Sequence, residues 1–325
     1  MASVSLRREQ QAVHAGRRLA AHRQRRQARR LSLAMTSLSF VVDCLSSAVI
    51  YAFFALAVVL AWRTSRVLMF CIGEIGMTSA YVMNDLVRAL GGGPGAFVIG
   101  VAGALAVAAV VGALLYLLLG QLSASGDYFV GTVVTIAVSI FLTGLMSSMW
   151  SGETVQLPIA RATLQWGGAT VSAVSVGIVG IGVALIAALS VVFYRTRVGI
   201  ELQAVAGNWQ LAVLSGIPAS RWQATAWIVA ALSSAVGGLC SGAVSAVSIS
   251  GAAVGFFGIV AAIMGGLTSP GGALAGALVL AIGENVTSLY LDARYGVAVP
   301  VVLLVLLLAF RPAGLSGRVE SISRS

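Results

Sequence analysis

The chain contains no lysine; all 20 of its basic residues are arginine. Charge of either sign is scarce, at 9% of 325 residues against 59% apolar, where a soluble domain carries about 25% charged residues. So few charges cannot cover a water-facing surface of this size, which excludes a soluble globular protein. Histidine is nearly missing too: His14 and His22 are the only two. The three cysteines, Cys44, Cys71 and Cys240, lie in or beside apolar runs and form no C-x-x-C pair, which argues against a disulfide framework or a metal site. No nucleophile, base and orienting group stand together as a hydrolase or transferase requires. No Walker A loop is present, so the chain does not bind ATP in that way. No cofactor is implied.

What the sequence has instead is long uncharged runs. Leu38–Trp62 carries one charge, Asp43, and Gly95–Gly120 and Gly167–Tyr194 carry none. Each is long enough to span, since about 20 apolar residues cross a hydrocarbon core of about 30 Å. Spans are expected near 38–62, 96–120, 129–150, 168–194, 223–247 and 297–310. Three further stretches, 67–90, 252–268 and 271–290, are polar or broken by glycine and read as short, tilted or re-entrant. Irregular backbone at membrane depth must be buried in protein or line a cavity. The expected fold is an all-α integral membrane protein, a polytopic helical bundle of about eight or nine membrane segments, some broken or re-entrant. Gly272-x-x-x-Gly276, with Gly283 beyond it, is a small-residue face of the kind that lets helices approach closely.

The excess charge is local. Nine arginines against Glu9 fall within residues 1–37, a balance of +8 out of the chain's net +10. This tail is too long and too charged for a signal peptide. It lacks the interleaved aromatics of a nucleic-acid arm, and the simpler reading is attraction to anionic lipid, at about 1 kcal/mol per basic residue near the surface. Three units result: a flexible basic tail at 1–37, a membrane domain at 38–317 and a short tail at 318–325. Arginine also orients the bundle. Arg195, Arg197 and Arg221 place 195–222 in the cytoplasm, and Arg311, Arg318 and Arg324 place the C-terminus there. If 67–90 crosses fully, the basic tail falls outside, against the rule. If it enters and returns on one side, the tail lies inside, and this second solution is the one preferred.

Arg195–Trp222 is the longest polar stretch outside the tail. Arg195 and Arg197 end a membrane helix, Gly199 permits a sharp turn, and Gly216-Ile217-Pro218 stops what lies between. A short cytoplasmic helix between spans suits the groove of a soluble partner, or it lies on lipid headgroups. Trp209 is its one aromatic, an interface anchor or a headgroup tryptophan. Single acids inside the spans also carry two readings. Glu74 is costly there, by about 2.5–3.5 kcal/mol on insertion scales, and either lines a pathway or bonds a neighbouring helix. Asp43 reads as an interface residue or a pathway residue. Glu284, beside Asn285, reads as an interhelical bond or a pathway residue.

The sequence of the 195–221 loop is similar to the cytoplasmic loop of branched-chain amino acid ABC permeases, in which RTR-x-G…A-x-A…N…A…L-x-G-I recurs. The similarity continues through Gly265-Gly266-Leu267-Thr268-Ser269-Pro270-Gly271-Gly272 and on to Gly276, and again at Phe310-Arg311-Pro312-Ala313-Gly314-Leu315-Ser316-Gly317. Upstream, Tyr51-Ala52, Gly73-Glu74 and Ala80-Tyr81 match the subunit type whose second segment reads NFAHGE…GAY. The resemblance covers about residues 38–317 in order, and the arginine tail is outside it. Met69-Phe70-Cys71-Ile72-Gly73-Glu74 departs from NFAHGE by losing its Asn and His, and Asp43 stands where an Asn is common.

The resemblance implies a permease subunit of an ABC importer in a bacterial inner membrane, with no covalent chemistry of its own. Its implied partners are ABC ATPase subunits, a second permease subunit and an extracytoplasmic solute-binding protein. It implies a coupling helix at 204–215, carried by Ala204, Val205, Trp209, Leu211, Leu214 and Gly216, and an outer docking surface at 151–166. It places Gly73, Glu74 and the turn with Gly265, Gly266 and Gly272 near the pathway, where Asp43 and Glu284 join them as candidates. Branched-chain amino acids are the expected solute, with urea, short amides and small organic acids next. A secondary transporter or channel working alone is the alternative, and would use intramembrane acids and inverted repeats.

Overall fold

One helix, α1 (Leu38–Ser65), is the axis on which the rest is packed: 89% of its apolar window is buried, against 11% for α5. In lipid, helices do not associate by excluding water, so close packing against small residues has to do the work. Phe54, fully buried on α1, shows how. A methyl at Gly258 would overlap Phe54 Cβ, and one at Gly76 or Gly237 would crowd its ring at 3.1 Å, so three other helices close on Phe54 where each has glycine. Ser233 adds a bond to the Phe53 carbonyl at 2.7 Å.

The computed structural model describes residues 38–122, 128–159, 162–166, 169–290, 293–296, 298–311 and 314–315. The tails at 1–37 and 318–325 lie outside the described residues. After α1 come α2 (Ile72–Ala89), α3 (Pro94–Leu122), α4 (Tyr128–Trp150), strands β1 (Thr163–Trp166) and β2 (Ala169–Ser172), α5 (Ala173–Arg195), α6 (Arg197–Gly207), α7 (Trp209–Leu214), α8 (Ala219–Val244), a 3₁₀ turn at Ser250–Ala252, α9 (Ala253–Gly265), α10 (Pro270–Tyr290), α11 (Ala293–Gly296) and α12 (Val299–Phe310). Six helices, α1, α3, α4, α5, α8 and α10, are long and apolar enough to cross a membrane, and α9 and α12 are shorter apolar helices. The chain is therefore an all-α multi-pass membrane protein.

Three sequence expectations change. The stretch 271–290 is not broken: despite four glycines, α10 is one continuous 21-residue helix, because Gly272 and Gly276 are buried against α9 rather than bent. The span expected from 168 starts at Ala173, since Ala169–Ser172 pairs antiparallel with Thr163–Trp166 as a hairpin. Third, 67–90 does not enter and return on one side. The first turn of α1 meets the start of α5, with the Ser39 hydroxyl on the Thr170 carbonyl at 3.4 Å and Ser46 on Ser175 at 3.3 Å. Arg63 lies over the Phe193 ring at the other end of α5. Val67 then packs near the end of α3 and the start of α4 at Gly131, while the far end of α2 reaches Trp150, where the indole donates to Asp85 at 2.7 Å. Residues 66–89 thus carry the chain from one end of the bundle to the other.

This arrangement sorts the arginines. Arg63, Arg66, Arg195, Arg197, Arg221 and Arg311 belong to one end, and Arg88 and Arg294 to the other. The second end carries the hairpin and a strap at 151–159. The strap is fastened by the Tyr81 hydroxyl on the Glu153 carbonyl (2.8 Å), a Tyr81–Trp150 stack (4.8 Å) and a bridge between Val155 and Val247.

Candidate translocation and coupling sites

At mid-depth the bundle holds two helix starts. Residues 66–71 connect α1 to α2 without continuing either, and their backbone is served from α4. The Thr135 hydroxyl donates to the Leu68 carbonyl at 2.8 Å and accepts from Phe70 N–H at 3.3 Å. Non-helical backbone at this depth survives only when it is satisfied in this manner. Next, Gly73 sits against the Ala252 carbonyl and Gly255 against Gly73, so α2 and α9 cross backbone to backbone as they start. Glu74 follows in the first turn of α2, where the helix dipole favours a carboxylate. It is half-buried. One turn on, the Thr78 hydroxyl is buried with no partner among the described residues.

The other acids lie apart from Glu74. Glu284 of α10 accepts a hydrogen bond from the Tyr51 hydroxyl of α1, which gives the interhelical bond its partner. Asn285 bonds its own helix, on the Ala281 carbonyl at 2.8 Å. Asp43 is exposed near the first turn of α1, two turns before Tyr51. The glycine candidates belong to the α9–α10 turn at the arginine end. A methyl at Gly265 would overlap the Gly272 backbone, and Gly266 has φ of +99°, a left-handed conformation that glycine alone adopts at no cost. Leu315 N–H donates to the Met264 carbonyl at 2.8 Å, docking the end of the described chain on this turn. The structure thus brings Gly73 together with Glu74, and Gly265 and Gly266 together with Gly272, while Asp43 and Glu284 flank α1 elsewhere.

The 195–222 segment forms a foot of two helices below the bundle. Thr196 caps α6, accepting from Gly199 N–H at 3.3 Å, and Asn208 caps α7, accepting from Leu211 N–H at 3.0 Å. Residues 204–215 are therefore not one rod: the chain breaks at Asn208, whose side chain competes for the backbone as Asn does at helix starts. Gly199 is required for closeness, since a methyl there would overlap the Phe193 carbonyl. Gly216, at φ of +80°, ends α7. The foot has a core of its own, Val205, Ala212 and Ala219 with Ile217 and Trp222 against them. It is tied down by Trp222 Nε1 on Glu201 (2.7 Å) and Gln203 on the Phe193 carbonyl (2.7 Å). Val205 is accordingly turned inward. Trp209, Leu211 and Leu214 are exposed, Leu214 by 83%, and Ala204 and Gly216 are exposed beside them.

Sequence reading missed Tyr51, Tyr81 and Thr135 as the groups that hold Glu284, the strap and the break before α2 in place. One signal was available: Thr132, Thr135, Ser139 and Thr143 recur at helical spacing along α4.

Comparison with known proteins shows the family to which the sequence belongs. The family described as branched-chain amino acid transport system / permease component matches residues 40–308. The high-affinity branched-chain amino acid transport system permease protein LivH of Escherichia coli K12 is 27% identical over 284 residues, covering 83% of this chain and 92% of that protein. A probable branched-chain amino acid transport permease protein LivH of Methanocaldococcus jannaschii is 27% identical over 300 residues, covering 84% and 91%. Among solved structures, PsaBC from Streptococcus pneumoniae in complex with Fab aligns over 86% of this chain and 95% of that one, at 13% identity and a TM-score of 0.47, too slight a likeness to bear on function. With the match running from the first turn of α1 into the last turn of α12, the chain belongs to the branched-chain amino acid ABC transport permease family.

Proposed function

We propose that this chain is the membrane-spanning permease subunit of an ABC importer in the bacterial inner membrane, and that it moves branched-chain amino acids, or a related small polar solute, inward. ATP is hydrolysed on separate ATPase subunits, and this chain performs no covalent chemistry. The observation that carries the reading is the foot: an independently packed pair of helices whose outward face is apolar, with Leu211 60% and Leu214 83% exposed. Exposed apolar patches of this kind mark interaction sites, and a transporter working alone has no use for one.

In this reading the arginine end is cytoplasmic, as the charge bias requires. ATPase subunits dock on α6 and α7, through Trp209, Leu211 and Leu214 with Ala204 and Gly216 at the edge, and Val205 shapes that surface from within. A solute-binding protein docks on the strap and hairpin at the opposite end. A second permease subunit completes the pathway, for which Asp43, Gly73, Glu74, Gly265, Gly266, Gly272 and Glu284 are the candidates. The chain crosses nine times, by the six long helices plus α2 with its connector, α9 and α12. Leu38 then opens on the extracytoplasmic side, opposite to the side expected for the basic tail from its arginines.

The test is reconstitution. The chain alone in proteoliposomes should neither hydrolyse ATP nor accumulate radiolabelled leucine. Adding the ATPase subunits, the second permease chain and the binding protein should give both. Leucine uptake by the chain alone would contradict the proposal.

A further inference from the structure

A groove opens sideways between α5 and α10, with buried residues of α1 at its floor. Leu56 and Leu60 form its floor, Leu189 and Phe193 one wall and Pro270 the other, with Tyr194 at the rim, and it holds about 370 Å³ counting its open side. Its mouth lies between two helices that each cross the membrane, so hydrocarbon rather than water faces it. The one hydroxyl in its lining besides Tyr194 is Ser190, which donates to the Ile186 carbonyl at 2.8 Å and is turned to its own helix. A recess this apolar has nothing to hold water.

The end of the groove has a different chemistry. Arg63 is half-buried there, with its guanidinium 6.0 Å from the centroid of the Phe193 ring, within cation–π range. Arg195 follows Tyr194 directly and is exposed. Leu56 and Arg63 are seven residues apart on α1, about 10 Å along the axis at 1.5 Å per residue. An extended acyl chain could lie along that length with its phosphate level with Arg63. A planar guanidinium matches phosphate oxygens in pairs, and basic pockets between membrane helices on the cytoplasmic side suit anionic headgroups.

We propose that the α1–α5–α10 groove binds one acyl chain of an anionic phospholipid from the leaflet at the arginine end, with the lipid phosphate held by Arg63. The site is separate from the basic tail, and it does not depend on which solute the protein moves.

The test counts retained lipid on the purified full chain by native mass spectrometry, after exchange into mild detergent with phosphatidylglycerol or phosphatidylcholine. Wild type should retain about one more phosphatidylglycerol per chain than Arg63→Gln or Ser190→Trp, and should favour phosphatidylglycerol over phosphatidylcholine. Arg221→Gln, at the same end but on α8, should match wild type. Ser190→Trp fills the groove, and should it fail to fold, Arg63→Gln, which leaves the groove's shape intact, decides. Equal retention by wild type and Arg63→Gln, or no headgroup preference, would overturn the proposal. So would a photoreactive side chain placed at Tyr194 that labels a second copy of this chain or an ATPase subunit in native membranes instead of phospholipid.

Discussion

Gly73, in the first turn of α2, and Ala252, in the turn that opens α9, meet backbone to backbone, and a methyl on Gly73 would overlap the Ala252 carbonyl oxygen. Two helices that start at mid-depth are held together by that contact. The obstacle is backbone, which cannot swing aside as a long side chain can. Gly73→Ala should therefore destabilise the chain by about 1–3 kcal/mol, the usual cost of overpacking. Gly144→Ala, on α4 with nothing near its Cβ, should be neutral or stabilising by up to about 1 kcal/mol, since alanine is the better helix former. Thermal unfolding of the two purified variants checks this, and equal melting curves would mean that α2 and α9 are not in contact.

The Tyr51–Glu284 bond should couple α1 to α10. Tyr51→Phe leaves the Glu284 carboxyl without that donor at membrane depth, at a cost of about 1–3 kcal/mol for an unsatisfied buried group. A double-mutant cycle with Glu284→Gln should return a coupling energy of about 0.5–3 kcal/mol. Strict additivity would show that the two side chains act independently.

How far the sequence went is clearest in these same residues. Five of the six long spans, α1, α3, α4, α5 and α8, were legible because hydropathy over about 20 residues is a strong, local signal. Glycine-rich segments misled. In 271–290 the glycines suggested a break, yet Gly272 and Gly276 are contact points on a straight helix. Gly73 and Glu74 could be singled out, but the Ala252 carbonyl that makes Gly73 necessary lies far off in sequence. Glu284 pointed to a bond without naming Tyr51, 233 residues away. In the foot, 204–215 read as one rod on helix propensity, and the Asn208 cap divided it. For 67–90 the arginine distribution favours entry and return on one side, whereas the contacts of α1 with α5 and of α2 with Trp150 carry it across the bundle.

Tyr81→Phe should loosen the strap at 151–159 without unfolding the bundle. It removes the donor to the Glu153 carbonyl and keeps the stack on Trp150. One such bond contributes about 0.5–1.5 kcal/mol. Hydrogen exchange should rise several-fold in 153–159 while the melting temperature moves little, and unchanged exchange would show that the strap is held by its other contacts.

Asn208→Ala should separate the shape of the foot from its contact residues. It deletes the α7 cap at a cost of about 1 kcal/mol without touching Trp209, Leu211 or Leu214. Trp209→Ala removes an exposed aromatic directly, and aromatic anchors contribute about 2 kcal/mol or more to an interface. ATPase affinity in pull-down titrations should fall tenfold or more for Trp209→Ala, about 1.4 kcal/mol, and less for Asn208→Ala. Wild-type affinity in both would move the docking surface elsewhere.

Leu214, the most exposed apolar residue of the foot, is where the proposed ATPase contact is tested most directly. A photoreactive side chain placed at Leu214 in the assembled transporter, in membranes, should crosslink to the ATPase subunit. Labelling of lipid alone at Leu214, in complexes that hydrolyse ATP and transport, would contradict the account.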